Sequence, residues 1–154
     1  MDFNDLNWKT KDYSPAGAYG QSKLANILFT KELAKRLEGT NVHTYALHPG
    51  VVDTELARHF DSTIFPGTRF LIKTVGKIAT KTPEQGAQTS IYCCIDEKAG
   101  EETGLYYSDC KVANVSDKAK DMNAAKKLWD ESVKLVKLDG FDPFNVEDKG
   151  PKSK

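Results

Sequence analysis

SPAGAYGQSKLANILFTKELAKRLEG, from Ser14 to Gly39, is the stretch on which the reading of this chain turns. Ser14 followed by Pro15 has the form of a helix start. The serine oxygen can accept from an unpaired backbone N–H, and proline at the first helical position gives up a donor that would have had no partner. Ala16 to Leu37 is rich in Leu, Ala, Lys and Glu, and Gly39 supplies a C-cap. At about 100° per residue, Tyr19, Lys23, Asn26, Thr30, Leu33 and Leu37 fall on one narrow face. The far half of that face is apolar and is expected to point at a core. The near half, with its phenol, ammonium, amide and hydroxyl, then points the same way. Lys31, Lys35 and Arg36 lie opposite, where solvated charge belongs. Lys23 becomes a cation on the inward stripe, and burying a cation without a partner is costly.

On either side of this helix the pattern is plainer. Residues 1–13 mix polar and aromatic residues without a period and read as a loop that packs Phe3, Leu6 and Trp8 onto a larger body. Val42 to Leu47 is short and β-prone, and Pro49-Gly50 stops it. Asp53 to Lys81 is apolar at Phe60, Ile64, Phe65, Phe70, Leu71 and Ile72, and Pro66-Gly67 divides it into two short helices. Thr82-Pro83-Glu84-Gln85 has capping-box form, predicting a helix to about Asp96. Gly104 to Tyr107 reads as a second strand, and Asn123 to Leu138 as a closing amphipathic helix. Helices alternating with two strands give part of a parallel α/β sheet. Two strands are too few for such a sheet, so the expected fold is the C-terminal, helix-rich part of a doubly wound Rossmann-like domain. The domain is placed at 1–140, with a charged, disordered tail at 141–154.

Composition removes several functions. The 22 Lys plus Arg balance 22 Asp plus Glu, so no basic stripe is available for nucleic acid and no basic patch for anionic lipid. No apolar run approaches the roughly 20 residues that span a bilayer. The first residues lack the order of a secretory signal. Cys93, Cys94 and Cys110 form no Cys-x-x-Cys pair, and His43, His48 and His59 have no zinc spacing, so no metal site is predicted. Buried, reduced thiols in an intracellular compartment fit these cysteines.

A tyrosine and a lysine one helical turn apart have a chemical use. Tyrosine titrates near 10 in water, and a neighbouring ammonium favours the phenolate, so the pair can pass a proton to a carbonyl oxygen or take one from an alcohol. The other reading is a half-buried aromatic beside a lysine that snorkels to the surface. On spacing alone this second reading prevails, because Tyr-x-x-x-Lys arises readily by chance.

Longer motifs change that balance. Tyr19 to Asn26 resembles the active-site helix of the short-chain dehydrogenase/reductase family, and His48-Pro49-Gly50-Val51-Val52-Asp53-Thr54 resembles the segment after that family's next strand. Ser22 to Thr30, Glu84 to Ser90 and Gly104 to Cys110 extend the likeness toward the retinol dehydrogenase branch, over about Asp2 to Val136. The resemblance implies a nicotinamide enzyme interconverting an alcohol and a carbonyl. Tyr19 would be the general acid/base, and Lys23 would hydrogen-bond the nicotinamide ribose. The backbone around Pro49, Gly50, Val51 and Val52, with the hydroxyl of Thr54, would meet the carboxamide. NADP(H) is favoured over NAD(H). The apolar residues after Asp53 suit a lipophilic aldehyde or retinoid, or else a helical core.

The same resemblance marks what this sequence lacks. It contains no Gly-x-Gly-x-x-Gly and no Gly-x-x-x-Gly-x-Gly, hence no turn to receive a pyrophosphate at a helix N-terminus. The strand with the substrate-polarising serine is missing as well. Met1 reads as an internal methionine of a longer protein, and the chain as a fragment inactive by itself, with membrane association of the intracellular parent left open. Helices of this family commonly pair subunits, which leaves a homodimer open. The reading from another class is a non-catalytic interaction module.

Overall fold

The computed structural model describes residues 1–52 and 80–138. Its elements run α1 (Pro15–Arg36), β1 (Tyr45–His48), α2 (Pro83–Ile95), β2 (Leu105–Ser108), β3 (Lys111–Val112) and α3 (Met122–Leu135). Short 3₁₀ turns occupy Ala99–Glu101 and Asp117–Ala119. Apart from Thr80 and Lys81, the two short helices expected from Asp53 to Lys81 lie outside the described residues. So do Thr54, His59 and the charged tail.

The helix ends follow the chemistry of their caps. Ser14 Oγ accepts from the backbone N–H of Gly17 at 3.2 Å, and α1 closes just before Gly39, whose φ is +83°. At α2, Thr82 Oγ1 accepts from the Gln85 N–H while the Gln85 amide oxygen accepts from the Thr82 N–H, at 3.3 and 3.0 Å. For α3 the predicted bounds need correction. Asp121 accepts from the N–H groups of Asn123 and Ala124, which moves the start forward to Met122. The helix stops at Leu135, and Val136 and Leu138 are exposed beyond it.

The sheet has order β1-β2-β3 and is mixed. β1 and β2 are parallel, from Tyr45 opposite Leu105 to His48 opposite Ser108, with α2 in the crossover. β3 returns antiparallel, with Ser108 opposite Lys111. The sequence predicts only the parallel pair. Its miss has a local cause: the two-residue turn is Asp109-Cys110, without glycine, although both residues take positive φ, 53° and 56°. β1 also begins at Tyr45 and not at Val42. The backbone of Thr44 is already engaged, accepting from the Gly104 N–H at 2.8 Å and donating to Thr103 Oγ1 at 3.1 Å.

Two clusters hold the elements together. Between α1 and α3, Leu28, Ala125 and Leu128 are buried, with Met1, Phe3, Leu24 and Ala25 around them. Phe29 stacks on Trp129 at 5.3 Å, and the Arg36 guanidinium lies 4.5 Å from that indole while Nε donates to Glu32 at 2.8 Å. Arg36, expected on a solvated face, therefore covers an aromatic contact and pairs with Oε1 of the buried Glu32 carboxylate, whose Oε2 has no hydrogen-bond partner. Beside the sheet, Cys93, Ala99 and Tyr107 are buried among Tyr45, Leu47, Tyr92 and Leu105. The Tyr45 hydroxyl donates to the Ala99 carbonyl at 2.6 Å, and that of Tyr107 donates to Glu102. Burial first, and the bond to Glu102 second, raise the Tyr107 pKa above that of an ordinary phenol. All three cysteines are free, but only Cys93 is buried. Cys94 is exposed and Cys110 half-buried, which corrects the expectation of three buried thiols.

Candidate functional site

α1 carries two kinds of surface along one axis. Its last turns are fixed by Leu28 against α3 and by Ala34 against β2, where a Cβ on Gly104 would stand 2.9 Å from that of Ala34. Thr30 is buried and its carbonyl accepts from Thr44 Oγ1 at 3.1 Å. Tyr19, by contrast, is 40% exposed, and Lys23 and Asn26 are exposed too. The inward stripe predicted from Tyr19 to Leu37 therefore holds for its far half only. Burial follows the contacts of Leu28 and Ala34. Among the described residues β1 has a strand on one side only, so no strand stands beyond it on the other.

The exposed pair is nevertheless compact. The Lys23 ammonium lies 5.3 Å from the centroid of the Tyr19 ring, within the range at which a cation and an aromatic face attract. Ser22 Oγ, between them in sequence, donates to the Tyr19 carbonyl at 2.7 Å.

The pins at Thr30–Thr44 and Ala34–Gly104 lie at the amino ends of β1 and β2. The chain doubles back between Arg36 and Tyr45, so the first turns of α1 run toward the carboxyl ends of the strands. Eleven helical residues from Thr30 to Tyr19 cover about 16 Å, and six extended residues from Thr44 to Gly50 about 20 Å. Both motifs thus reach the same end of the sheet, the end at which open parallel sheets bind ligands.

At that end stands the turn Pro49-Gly50-Val51-Val52. Gly50 has φ +90°, and a Cβ on it would lie 2.8 Å from Lys81 Cδ. The Val51 carbonyl accepts from the Lys81 N–H at 2.8 Å, and Val52 bridges Lys81 in parallel. Val52 also fills the space above Gly86, where a Cβ would meet its Cγ2 at 2.5 Å. The turn is consequently seated on the first residues of α2. Lys81 reaches across it to form an ion pair with Asp109. That ammonium is the first cause holding the Asp109 carboxyl below the usual range.

In front of α1 lies the loop of residues 1–13. Asp5, which the sequence reading does not single out, organises it. Its carboxylate accepts from the N–H groups of Lys9, Thr10 and Lys11 at 2.6, 2.9 and 3.1 Å and from the Thr10 hydroxyl at 2.8 Å. These bonds, Lys9 first, hold its pKa far below the ordinary carboxylate value. The only sequence signal is an Asp ahead of a short polar run. The loop rests on α1 through Gln21, whose side-chain N–H donates to the Leu6 carbonyl at 3.0 Å, and through Trp8 against Gly17. It frames an apolar cleft of about 350 Å³ lined by Leu6, Trp8, Ala18 and Leu128; neither Tyr19 nor Lys23 lines it. Among the described residues no three His, Cys, Asp or Glu gather to hold a metal, and no helix is long and apolar enough to cross a membrane.

The donor set fits one end of a dinucleotide. A phenol and an ammonium side by side can serve a ribose diol and a carbonyl oxygen, whereas no Gly-rich turn in the sequence can take the pyrophosphate.

Comparison with known proteins gives the following matches. Residues 10–64 match the family model described as short chain dehydrogenase. The chain is 44% identical to retinol dehydrogenase 13 of Homo sapiens, covering 90% of this chain and 42% of that protein. It is 46% identical to retinol dehydrogenase 12 of Homo sapiens, covering 87% of this chain and 40% of that protein. A crystal structure of an uncharacterized protein from Mycobacterium Paratuberculosis is similar with a TM-score of 0.54 at 30% identity, covering 89% of this chain and 45% of that one. The chain spans about two fifths of the length of the curated relatives it matches.

Proposed function

The chain belongs to the short-chain dehydrogenase family, with a Rossmann-like α/β fold, and from that premise we propose that it is the catalytic and substrate-facing part of an NADP(H)-linked alcohol/carbonyl oxidoreductase. The observation that carries this reading is the paired phenol and ammonium of Tyr19 and Lys23, exposed on the turns of α1 that run toward the carboxyl ends of β1 and β2. The names of the relatives point to a retinoid as the substrate class.

A bound nicotinamide would supply or accept the hydride at the carbonyl carbon. Tyr19 gives its hydroxyl proton to the carbonyl oxygen in reduction and takes it back from the alcohol in oxidation. Lys23 would hold the ribose hydroxyls and stabilise the tyrosinate left behind. The backbone of Val51 and Val52, held by Lys81 and seated on Gly86, would meet the carboxamide, and the hydroxyl of Thr54, which lies outside the described residues, would assist. Binding energy from the adenosine and pyrophosphate positions the ring for transfer, so a chain without a phosphate cradle has no turnover of its own.

The test uses purified residues 1–154 and the same chain joined in frame behind a Gly-rich βαβ half. The first is expected to leave retinaldehyde untouched with NADPH or NADH, and the second to reduce it, faster with NADPH. Turnover by the chain alone overturns the inactivity, and no turnover by a folded fusion overturns the assignment. Among the described residues β1 has a strand on one side only, which favours a second reading for the isolated chain, an interaction module that adds a strand from a partner. A monomeric chain that binds no half-domain in sedimentation would remove it.

A further inference from the structure

We propose that Lys81 and Asp109 form a latch that fixes the backbone of Gly50, Val51 and Val52, making them positioning residues for the nicotinamide end of the cofactor; the inference rests on the dehydrogenase reading above. Three segments far apart in sequence meet at this pair: the turn after β1, the residue before the N-cap of α2, and the tip of the β2–β3 hairpin. Lys81 acts on the turn in two ways. Its N–H donates to the Val51 carbonyl at 2.8 Å, and its aliphatic stem lies over Gly50, where a Cβ would stand 2.8 Å from Cδ and 2.9 Å from Cε. Gly50 is demanded by its φ of +90°, and a side chain there would in addition push the flexible lysine stem aside.

The far end of Lys81 is anchored in its turn. Asp109 sits in a two-residue hairpin turn at φ 53°, where Asp is tolerated better than most residues. The next residue, Cys110, donates its N–H to the buried Thr89 Oγ1 of α2 at 3.3 Å. The hairpin tip is thus tied to the same helix that Lys81 precedes, and the ion pair closes the loop of contacts around the turn. Stability does not account for this arrangement. Asp109 is 60% exposed and Lys81 30%, and such pairs contribute little to folding. What they can set is the position of three backbone units, and a displacement near 1 Å in such a group can cost about 100-fold in rate.

The experiment uses the longest natural polypeptide that contains this chain, with Asp109→Asn, Lys81→Met and Lys81→Arg. Amide exchange is followed over residues 49–52 and 81–86, and in α1 as a control, beside titration of NADPH and NADH and the KM and kcat for retinaldehyde. Asp109→Asn and Lys81→Met are expected to speed exchange at the turn and leave α1 unchanged. They should weaken dinucleotide binding and lower kcat by about tenfold, well short of the full misplacement penalty, with the retinaldehyde KM within about twofold. Lys81→Arg should restore most of both. Exchange that rises equally in α1 would mean a merely structural pair, and unchanged binding and kcat in every variant would likewise overturn the latch. If the unaltered protein binds neither dinucleotide, the dehydrogenase reading fails, and this inference fails with it.

Discussion

The first turns of α1 and its last turns belong to one helix yet follow opposite rules. From Leu28 to Ala34 the helix is anchored: Leu28 is fully buried, Thr30, Glu32 and Ala34 nearly so, and neighbours on α3 and β2 meet them. From Pro15 to Asn26 it holds two glycines, an exposed tyrosine and an exposed lysine. The difference teaches that stability and chemistry are separable here. Full burial is confined to the back half, while the front half packs through Leu24 and Ala25 and leaves Tyr19 and Lys23 exposed.

The strongest way to break the comparison is at Tyr19. In a fusion that turns over, Tyr19→Phe is expected to lower kcat by about 10²- to 10⁴-fold, because it removes the only proton of the side chain that can reach a carbonyl oxygen. The thermal midpoint should hardly move. A variant that unfolds, or one that keeps full activity, would show that the front half is not what the separation says it is.

Leu28→Ala asks the converse question. Truncating a fully buried leucine between two helices costs about 2–5 kcal/mol. Denaturant unfolding is the measurement, and a loss below about 1 kcal/mol would mean that α1 and α3 do not share a core.

How much of this contrast was legible beforehand depended on which force wrote it. Local signals survived: Ser14 and Thr82 cap their helices as their neighbours imply, and Tyr19 and Lys23 come together because four residues make about one turn. The burial of α1 is not legible in this way, since a periodic stripe says which residues share a face and nothing about which neighbours exist to cover it. Periodicity places Lys23 inside for that reason, and the structure leaves it exposed. Likewise, β3 and the Lys81–Asp109 pair depend on a hairpin turn without glycine and on contacts 28 residues apart, neither of which leaves a periodic trace.

A smaller perturbation acts on the loop in front of α1. The Asp5 carboxyl is held well below its ordinary value, chiefly by the N–H of Lys9 and then by that of Thr10. A group with a depressed folded pKa contributes stability above its unfolded value, near 3.9, and the contribution drains away as the pH falls toward the folded one. The loop is therefore expected to loosen between about pH 4 and pH 2, while the back half of α1 stays packed. In a Trp129→Phe background, Trp8 fluorescence should change in that range ahead of the helical circular dichroism. Asp5→Asn should show the loosened signal already at pH 7. Coincident transitions of both probes would mean that the loop and the helix form one unit.

The finest test sets two glycines of the front half against each other. A Cβ on Gly20 would meet nothing within 4 Å, whereas one on Gly17 would stand 2.8 Å from Cη2 of Trp8 and 3.2 Å from Ser14 Oγ. Alanine in an open helical position gains about 0.5–1 kcal/mol over glycine, mostly by narrowing the unfolded chain. Gly20→Ala should show that gain. Gly17→Ala should show none, or a loss, because the indole is a rigid ring on a residue already at φ 54° and must shift with the cap. Equal gains at both sites would mean that Trp8 does not rest on α1. The loop ordered by Asp5 would then reach the front half through Gln21 and not through the Trp8 ring, which would weaken its part in holding Tyr19 toward a ligand.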